Sequence, residues 1–444
     1  MNHELTKDFI NAHLNDDVNK LALSKFPDDI DKQFVIRQIQ ARQLLKKKLP
    51  SWSENDELLF PKRLSLEQCS SELTAKYKSA KVRENTRKDI GENSCNFVNR
   101  RILVDLTGGM GVDTSFLSDN FDETIYIESQ AELCELAEHN FKVLKKNIKV
   151  VNAKAEDFLT QCGEVDCIYL DPARRDEYGR KMVSLHDCSP DVAELQDLLF
   201  EKTNTVIVKL SPMLDIDIIK KELKNIKEIH VVAVKNECKE VLVKSTRQRD
   251  NETMSRDSTM IPAIKRIDTS DDNEAIRRLY ISAIDLKENW KFSFTEDEEQ
   301  NAIPTFADEI GKYLYEPGVA CMKAAPFKLL SQRFNIKKLH RNSHLYTSDE
   351  LVTDFPGRIF EVIAAVPFDK KAKKTILEMQ RYKDSETQSD EHSTTLKASI
   401  AVRNFPLSAE ALRKHLGFKD GDDFYIFGTT MKGEKKVLVL GSKC

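Results

Sequence analysis

The sequence predicts an α/β protein built from three parts. Helical periodicity runs through the first 97 residues, and short apolar runs then alternate with helical patterns between Ile102 and Ser245. After a polar segment, strand and helix patterns resume and continue to the C-terminus. With 444 residues, the chain is long enough for about three domains, each with its own core.

The first part, 1–97, is interpreted as a helical N-terminal domain. Apolar residues recur there at helical spacing among polar neighbours, as at Phe34, Ile36, Ile39 and Leu44. Prolines interrupt the pattern at Pro27, Pro50 and Pro61, where helices are expected to begin or end. The segment therefore predicts several short helices, but it carries no motif that indicates a function.

The second part, 98–248, contains seven apolar runs bounded by turns. These runs are Ile102–Leu106, Thr124–Glu128, Val150–Val151, Cys167–Leu170, Thr205–Leu210, Ile229–Val234 and Glu240–Val243. Helical patterns separate the earlier runs, which predicts a parallel sheet with helices on both faces. The last two runs are separated by too few residues for a crossover helix, so we expect them to form an antiparallel hairpin.

The third part follows a polar segment, 249–275, that carries both signs of charge and is interpreted as a flexible linker. Beyond it, strands are expected near 358–366, 396–402, 424–428 and 436–440, with helices over 370–379 and 408–416. Ser408 has the side chain of an N-cap, and Glu410 stands in the first turn that follows. These patterns predict a smaller α+β unit.

Composition excludes several classes of protein. The longest apolar runs are far too short to span a bilayer, and the N-terminus lacks the basic start and apolar core of a secretory signal. Nine cysteines without a C-x-x-C pair match neither a zinc site nor a disulfide framework. We therefore expect a cytoplasmic protein without a metal. The net charge is −4, so nucleic-acid binding requires a local basic surface.

A glycine-rich turn after the first predicted strand indicates a nucleoside-binding site. Asp105 ends that strand, and the glycines beyond it let the backbone approach a ligand closely. Glu128 ends the next strand, where a carboxylate can accept both ribose hydroxyls. The predicted site comprises Asp105, Thr107, Gly108, Gly109, Gly111 and Glu128.

Two classes of cofactor compete for this turn. A dinucleotide requires G-x-G-x-x-G, but here the third glycine is replaced by Thr114, and Asp113 stands where a pyrophosphate would approach. S-adenosyl-L-methionine carries positive charge and no phosphate, so Asp105 and Asp113 favour it. Glu156 and Asp157 follow the third strand and are candidates for the adenine amine, although N-capping also explains Asp157. An ordinary strand-to-helix glycine turn remains the alternative.

The fourth strand runs into a second loop, and here the chain resembles a known family. The segments Asp105-Leu-Thr-Gly-Gly-Met-Gly111 and Asp171-Pro-Ala-Arg174, with Glu128, look like the loops of class I methyltransferases. The chain resembles most closely the bacterial THUMP-like-domain methyltransferases. Segments that carry this closer resemblance are Asp171-Pro-Ala-Arg-Arg175, Lys209-Leu-Ser-Pro-Met-Leu-Asp215, Tyr315-Glu-Pro-Gly318, 337–349, Asp354-Phe-Pro-Gly-Arg358 and Arg403-Asn-Phe-Pro-Leu-Ser408.

The resemblance implies a domain order and a catalytic loop. It implies a Rossmann-like seven-stranded domain over 98–248, a ferredoxin-like element over 276–357 and a THUMP-like domain over 358–444. The implied catalytic residues are Asp171, Pro172, Ala173 and Arg174. An acceptor such as Asp171 draws the hydrogens of a substrate amine into place, and positioning then supplies most of the acceleration. Arg174 replaces the aromatic residue of amino-methylating relatives, which leaves the target atom open.

Basic residues predict the substrate. Between Cys321 and Thr347 no Asp or Glu interrupts the sequence, and phosphate contacts there would supply affinity for nucleic acid. The candidate substrate-binding residues are Arg175, Lys209, Lys323, Lys328, Arg333, Lys337, Lys338 and Arg341. By resemblance, the expected partner is structured RNA such as tRNA. A solvated helix face, a small-molecule or protein substrate, and a noncatalytic RNA-binding factor are the alternatives.

Overall fold

The computed structural model describes residues 3–88, 100–174, 184–247, 278–386, 397–422 and 424–444. The predicted linker and Arg175 lie outside these ranges. The described residues form two compact units, one within Met1–Glu228 and Glu240–Ile267, the other within Ile229–Lys239 and Asp268–Cys444. The N-terminal helices and the first strands of the α/β region thus share one unit. No helix in the described ranges is both long and apolar enough to cross a bilayer.

The chain begins with short helices, as the periodicity predicted. They are α1 His3–Ala12, α2 Val18–Leu23, α3 Lys32–Leu45, α4 Pro50–Ser53, α5 Arg63–Gln68 and α6 Glu72–Lys88. Asp31 caps α3 by accepting a hydrogen bond from the Phe34 amide at 3.1 Å, and Pro50 opens α4 at a position where its missing N–H costs nothing. Trp52 and Phe60 are buried between these helices.

A Rossmann-like sheet follows. Its strands are β1 Ile102–Asp105, β2 Glu123–Glu128, β3 Ile148–Asn152, β4 Cys167–Leu170, β7 Thr205–Leu210 and β9 Glu237–Thr246, in the order β9-β7-β4-β1-β2-β3. The helices between them are α7 Val112–Leu117, α8 Ala131–Val143, α9 Ala155–Gln161, α10 Val192–Lys202 and α11 Ile216–Glu222. All neighbouring strands are parallel except β7 and β9. The chain runs outward from β1 in both directions, so the β1–β4 crevice is where such folds bind ligands.

A tight turn joins β8 Ile226–Val234 to β9, which confirms the predicted hairpin. The two residues of the turn, Lys235 and Asn236, have φ angles of 54° and 57°. Positive φ at both central positions is the geometry of a type I′ turn, whose twist matches that of the strands it connects.

The N-terminal helices pack on the helices of the sheet. Asn140 of α8 accepts a hydrogen bond from the Leu59 amide at 2.9 Å and donates one to the Leu59 carbonyl at 2.8 Å. On the other side, Gln38 of α3 bonds both backbone groups of Phe60, and Arg42 donates to the Leu58 carbonyl at 2.9 Å. Trp52 and Phe60 share one apolar cluster with Met110 of the glycine turn and Val112 at the start of α7. The N-terminal helices therefore pack against the glycine turn.

The second unit opens with a hairpin that sequence periodicity did not reveal. Its strands, β10 Tyr280–Asp285 and β11 Trp290–Thr295, are antiparallel. Further elements are α12 Glu296–Asn301, β12 Tyr313–Pro317, α13 Val319–Ala324, α14 Phe327–Arg333, β13 Lys337–Lys338, β14 Tyr346–Ser348, β15 Gly357–Pro367, α15 Ala372–Glu386, β16 Ser399–Arg403, α16 Ala409–Leu416, β17 Tyr425–Thr430 and β18 Lys436–Lys443. One sheet, ordered β13-β14-β12-β15-β18-β17-β16, joins these strands. The strands and helices predicted beyond residue 358 are confirmed, including the Ser408 cap.

Candidate active site

The glycine turn between β1 and α7 has the backbone that only glycine adopts easily. Gly109 and Gly111 have φ angles of 53° and 81°. A Cβ atom on Gly108 would lie 2.0 Å from the ring of Tyr126, whose hydroxyl donates a hydrogen bond to the Gly109 carbonyl at 2.6 Å. At Gly109 a Cβ would meet one atom within 4 Å, so the turn is open on that side.

Replacing Gly111 with alanine tests this geometry. A Cβ there would meet the Phe141 ring at 2.8 Å in a left-handed backbone, so the free energy of unfolding should fall by about 1–3 kcal/mol. Gly163→Ala is the matched control, because no atom lies within 4 Å of its Cβ position. Urea unfolding measures both. Equal effects of the two substitutions would show that the turn tolerates a side chain.

Asp105 ends β1 in a fully enclosed position. Its Oδ1 accepts a hydrogen bond from the Thr107 amide at 3.0 Å and its Oδ2 one from the Thr114 hydroxyl at 2.5 Å. The side chain is 1% exposed. Burial raises the pKa of Asp105 to about 7, because the charged carboxylate loses its hydration.

Glu128 ends β2 and is bound directly to the glycine turn. Its Oε2 accepts a hydrogen bond from the Gly109 amide at 3.0 Å, and its Oε1 accepts one from the Gln130 amide at 2.9 Å. Charge-assisted bonds of this kind fix the orientation of a carboxylate. The two acidic strand ends predicted for a nucleoside site are therefore brought to one edge of the sheet.

The loop after β4 is tied to the same turn. The Asp171 amide donates a hydrogen bond to the Thr107 hydroxyl at 2.6 Å, and the Lys209 ammonium, at the end of β7, donates one to Asp171 Oδ2. Burial disfavours the Lys209 ammonium, but Asp171, Asp113 and Glu240 outweigh it and raise the pKa of Lys209. Lys209, a candidate substrate-binding residue, is thus bound to the carboxylate of this loop in the structure.

A short ribbon holds the remainder of this loop. Pro172 follows Asp171, and β5 Ala173–Arg174 then pairs antiparallel with β6 Cys188–Ser189. Neither the Arg174 side chain nor Arg175 falls within the part of the chain that the structure describes.

Asp113 has a different position from the one expected of it. Its Oδ2 accepts hydrogen bonds from Ser70 and Tyr169, each at 2.7 Å, and its Oδ1 lies 3.2 Å from the Lys78 ammonium. Lys78, 1% exposed, also donates to both oxygens of Glu240 at 2.8 and 3.0 Å. Burial opposes the Asp113 carboxylate, yet Lys78 and Lys209 hold its pKa below the ordinary value. In this structure the carboxylate therefore contacts side chains of the protein, and its assignment to the cofactor stays a prediction.

Sequence reasoning missed the rest of this buried ion network. Lys78 and Ser70 belong to the N-terminal segment, Tyr169 to β4 and Glu240 to β9. The signal that was available is a charged residue, Glu240, immediately before the run Val241–Val243, which is buried. A buried carboxylate requires a partner, but the sequence does not say which lysine supplies it.

Glu156 and Asp157 are exposed in the first turn of α9, where negative charge suits the helix dipole. The N-cap position of α9 is occupied by Lys154, so capping does not explain Asp157. The helix follows β3, whose Asn152 pairs in register with Glu128.

The basic residues predicted to bind substrate in the second unit do not form one exposed set. Lys338 is 3% exposed, donates to the Arg341 carbonyl at 3.0 Å and has its pKa lowered to about 8 by burial. Arg333 pairs with Glu298 at 2.7 Å, and Lys328 donates to the Gln300 carbonyl. Lys323 is half-buried, whereas Lys337 and Arg341 are exposed. Burial thus disfavours phosphate contact by Lys338, whereas Lys337 and Arg341 are open to solvent.

Family motifs of the second unit are packed together as structural supports. Glu316, 2% exposed, accepts hydrogen bonds from Arg358 at 2.9 Å and from Arg403 at 2.6 Å. His340 bonds Glu434 at 3.0 Å and Asn404 at 3.0 Å. Within the described residues, no group of three His, Cys, Asp or Glu side chains is arranged to hold a metal ion.

Comparison with known proteins matches both units. Residues 313–356 match a ferredoxin-like domain model, and residues 357–443 match a THUMP-like domain model. No curated protein is significantly similar. A crystal structure from Porphyromonas gingivalis W83, described as a "putative methyltransferase", is 32% identical, with a TM-score of 0.77, and the similarity covers 99% of this chain and 98% of that one.

Other solved structures match a smaller part of the chain. An rRNA methylase from Streptococcus thermophilus is 14% identical over 34% of this chain and 89% of its own, with a TM-score of 0.26. The tRNA (m1A58) methyltransferase TrmI from Aquifex aeolicus is 12% identical over 41% of this chain and 71% of its own, with a TM-score of 0.28. The full-length similarity to the Porphyromonas protein, together with the two domain matches, shows that this chain belongs to the bacterial THUMP-like-domain family of class I methyltransferases.

Proposed function

We propose that this protein transfers a methyl group from S-adenosylmethionine to a base of structured RNA, such as tRNA. The observation that carries the proposal is the position of Asp171. Its amide is bound to Thr107 of the glycine turn and its carboxylate to Lys209 of the neighbouring strand. An acceptor is thereby held beside the turn where a nucleoside is expected to bind.

The residues around the glycine turn fit an adenosyl cofactor. Glu128 offers an oriented carboxylate for ribose hydroxyls, the backbone is open at Gly109, and Asp105 is hydrogen-bonded to the Thr107 amide at the start of the turn. None of these groups supplies positive charge for a pyrophosphate, which counts against a dinucleotide. S-adenosylmethionine supplies a methyl group already activated by its sulfonium, so the protein has only to bind and position the reactants.

Asp171 and its neighbours perform the positioning. Lys209 binds one oxygen of Asp171, and within the described residues no side chain is found on the other, which would accept a hydrogen from the attacking nitrogen of the base. Lys209 restricts the rotation of the carboxylate, and Thr107 fixes the backbone from which it projects. Pro172 stiffens the turn that follows. The loop after β4 therefore holds the Asp171 carboxylate in place before the substrate binds, which lowers the entropic cost of the reaction.

The RNA part of the proposal rests on the second unit. The match of 357–443 to a THUMP-like domain and the family motifs that continue through this unit support RNA as the substrate class. A small-molecule or protein substrate is the second candidate, and a noncatalytic RNA-binding factor is the third. The retained Asp105, Glu128 and Asp171 favour an enzyme over the third candidate.

The decisive experiment is incubation of the purified protein with labelled methyl donor and total RNA, followed by mass spectrometry of the nucleosides. We expect one methylated nucleoside that is absent when the donor is omitted. Label in protein or small molecules instead of RNA would support the second candidate. RNA binding without uptake of the donor would support the third.

The pH dependence of donor affinity tests the role of Asp105. Its pKa is raised to about 7, so at pH 6 most of the carboxyl is neutral and at pH 8 most of it is charged. A cationic ligand favours the charged form, so affinity should rise about tenfold from pH 6 to pH 8, with proton release on binding. Calorimetry in buffers of different ionisation enthalpy measures both quantities.

Asp105→Asn is the control for that titration, because it keeps the shape and removes the ionisation. We expect weaker binding with a flat pH profile in the variant. A wild-type affinity that does not change between these pH values would contradict the assignment of Asp105 to a cationic ligand.

A further inference from the structure

Exposed lysines gather on one part of the second unit that sequence analysis did not single out. We call it the lysine surface and define it by the exposed residues Lys370, Lys371, Lys373, Lys374, Lys414 and Lys419. The first four surround the start of α15, and the last two lie at the end of α16 and just beyond it.

Direct contacts bring these two groups of lysines together. The Lys373 ammonium lies 3.3 Å from the position of a Cβ on Gly417, the residue that ends α16. Ala372 of α15 and Leu416 of α16 are buried in one apolar cluster. Phe368, just before α15, contacts the ring of His415 with centroids 5.7 Å apart. A depression of about 390 Å³ is lined by Lys370, Lys373 and Lys374 together with Leu377 and Glu378.

Acidic neighbours leave most of this charge unneutralised. Glu378 lies 3.8 Å from Lys374, Asp420 pairs with Arg413 at 2.8 Å, and Asp369 accepts hydrogen bonds from backbone amides at the start of α15. Among the described residues, no ion pair is found for the other five lysines: Lys370, Lys371, Lys373, Lys414 and Lys419. Although the chain has a net charge of −4, the lysine surface therefore creates a local positive potential.

Stability does not explain this arrangement. Positive charge at a helix N-terminus opposes the helix dipole, and like charges gathered around one depression, such as those of Lys370, Lys373 and Lys374, repel each other. Both effects destabilise the start of α15. An anionic partner would offset these costs when it binds.

We propose that the lysine surface binds the phosphate backbone of the RNA substrate. This inference rests on the proposed function and adds the surface through which RNA is held. Several lysines on neighbouring helices contact consecutive phosphates without reading sequence, so the affinity is expected to depend strongly on salt. The basic side chains of the segment 323–341 are largely buried or bound to other residues. We therefore expect the lysine surface, and not that segment, to make the main electrostatic contact with RNA.

The test uses the full chain with four substitutions, Lys370→Gln, Lys373→Gln, Lys414→Gln and Lys419→Gln. Binding to unfractionated tRNA is measured between about 50 and 200 mM salt, and the slope of log K against log salt is compared with that of the wild type. Each lost phosphate contact should reduce the slope by roughly 0.7–0.9, so four contacts reduce it by about 3. The exposed positions predict an unchanged or slightly raised Tm.

A matched control removes the same charge elsewhere. Lys46, Lys47, Lys142 and Lys224 are exposed in the first unit, and their replacement by Gln should leave the slope nearly unchanged. Equal losses in both variants would overturn the proposal, as would a wild-type slope near zero. Binding of the wild type to phosphatidylserine vesicles but not to tRNA would also overturn it, in favour of a membrane.

Methyl transfer measured on the same preparations separates this proposal from the proposed function. If RNA is methylated but the slope does not change in the lysine variant, the surface assignment fails and the function stands. If the lysine variant loses the salt-dependent binding but the wild type methylates no RNA, the surface stands and the function fails.

Discussion

Replacing Asp171 with alanine is expected to lower kcat for methyl transfer by about 10²- to 10⁴-fold, the range found for loss of a positioned proton acceptor. Donor affinity should change little, because Asp105 and Glu128 are held by their own hydrogen bonds with the glycine turn. Single-turnover assays give the rate, and calorimetry gives the affinity. Unchanged turnover in a folded variant would remove Asp171 from the reaction.

One further variant, Lys209→Met, distinguishes the acceptor from its support. Asp171→Ala leaves the Lys209 ammonium, whose side chain is 12% exposed, without its carboxylate, so Tm must be measured to separate misfolding from lost chemistry. Lys209→Met keeps the acceptor and removes only its anchor. We expect Lys209→Met to lower kcat less than Asp171→Ala does, and the reverse order would make Lys209 the more important group.

Lys78→Met is expected to lower the free energy of unfolding by about 3–5 kcal/mol, the cost of breaking a buried ion pair from one side. The substitution removes the ammonium that Asp113 and Glu240 share, and both carboxylates are almost fully buried. Urea unfolding monitored by circular dichroism measures the loss. Lys142→Met, which breaks the exposed pair with Glu138, is the control, and its effect should stay below about 1 kcal/mol.

The pH dependence of that loss has a predictable sign. In the wild type the pKa of Asp113 is held below its ordinary value, so its contribution to stability is present above that value and disappears as pH falls through the folded pKa. Without Lys78 the Asp113 carboxylate binds a proton more readily in the folded state, so the difference between variant and wild type should shrink as pH falls. The double variant Lys78→Met/Glu240→Gln should recover part of the stability. Full additivity of the two losses would contradict a shared network.

Local pattern was sufficient to predict much of the fold. The hairpin of β8 and β9 followed from the short interval between two apolar runs, and the Ser408 cap followed from one side chain before a helical pattern. By contrast, the β10–β11 hairpin was not predicted, because its strands carry no turn signal as clear as the glycine turn. Whether such a segment forms a strand depends on the surface against which it packs, and not on its own residues alone.

For the site, the sequence by itself determined which acidic residues end β1, β2 and β4, because strand ends are set by neighbouring residues and parallel strands bring their carboxyl ends to one edge. Only the tertiary structure decided which charges meet. Lys78 and Glu240 are 162 positions apart, and the commitment of Asp113 to Lys78 could not be read from either segment. The same holds for the basic residues, since sequence gives the sign of a charge but burial decides whether it reaches solvent. The physical reason is that ion pairing and exposure depend on long-range packing, whereas strand ends and turns depend on adjacent residues.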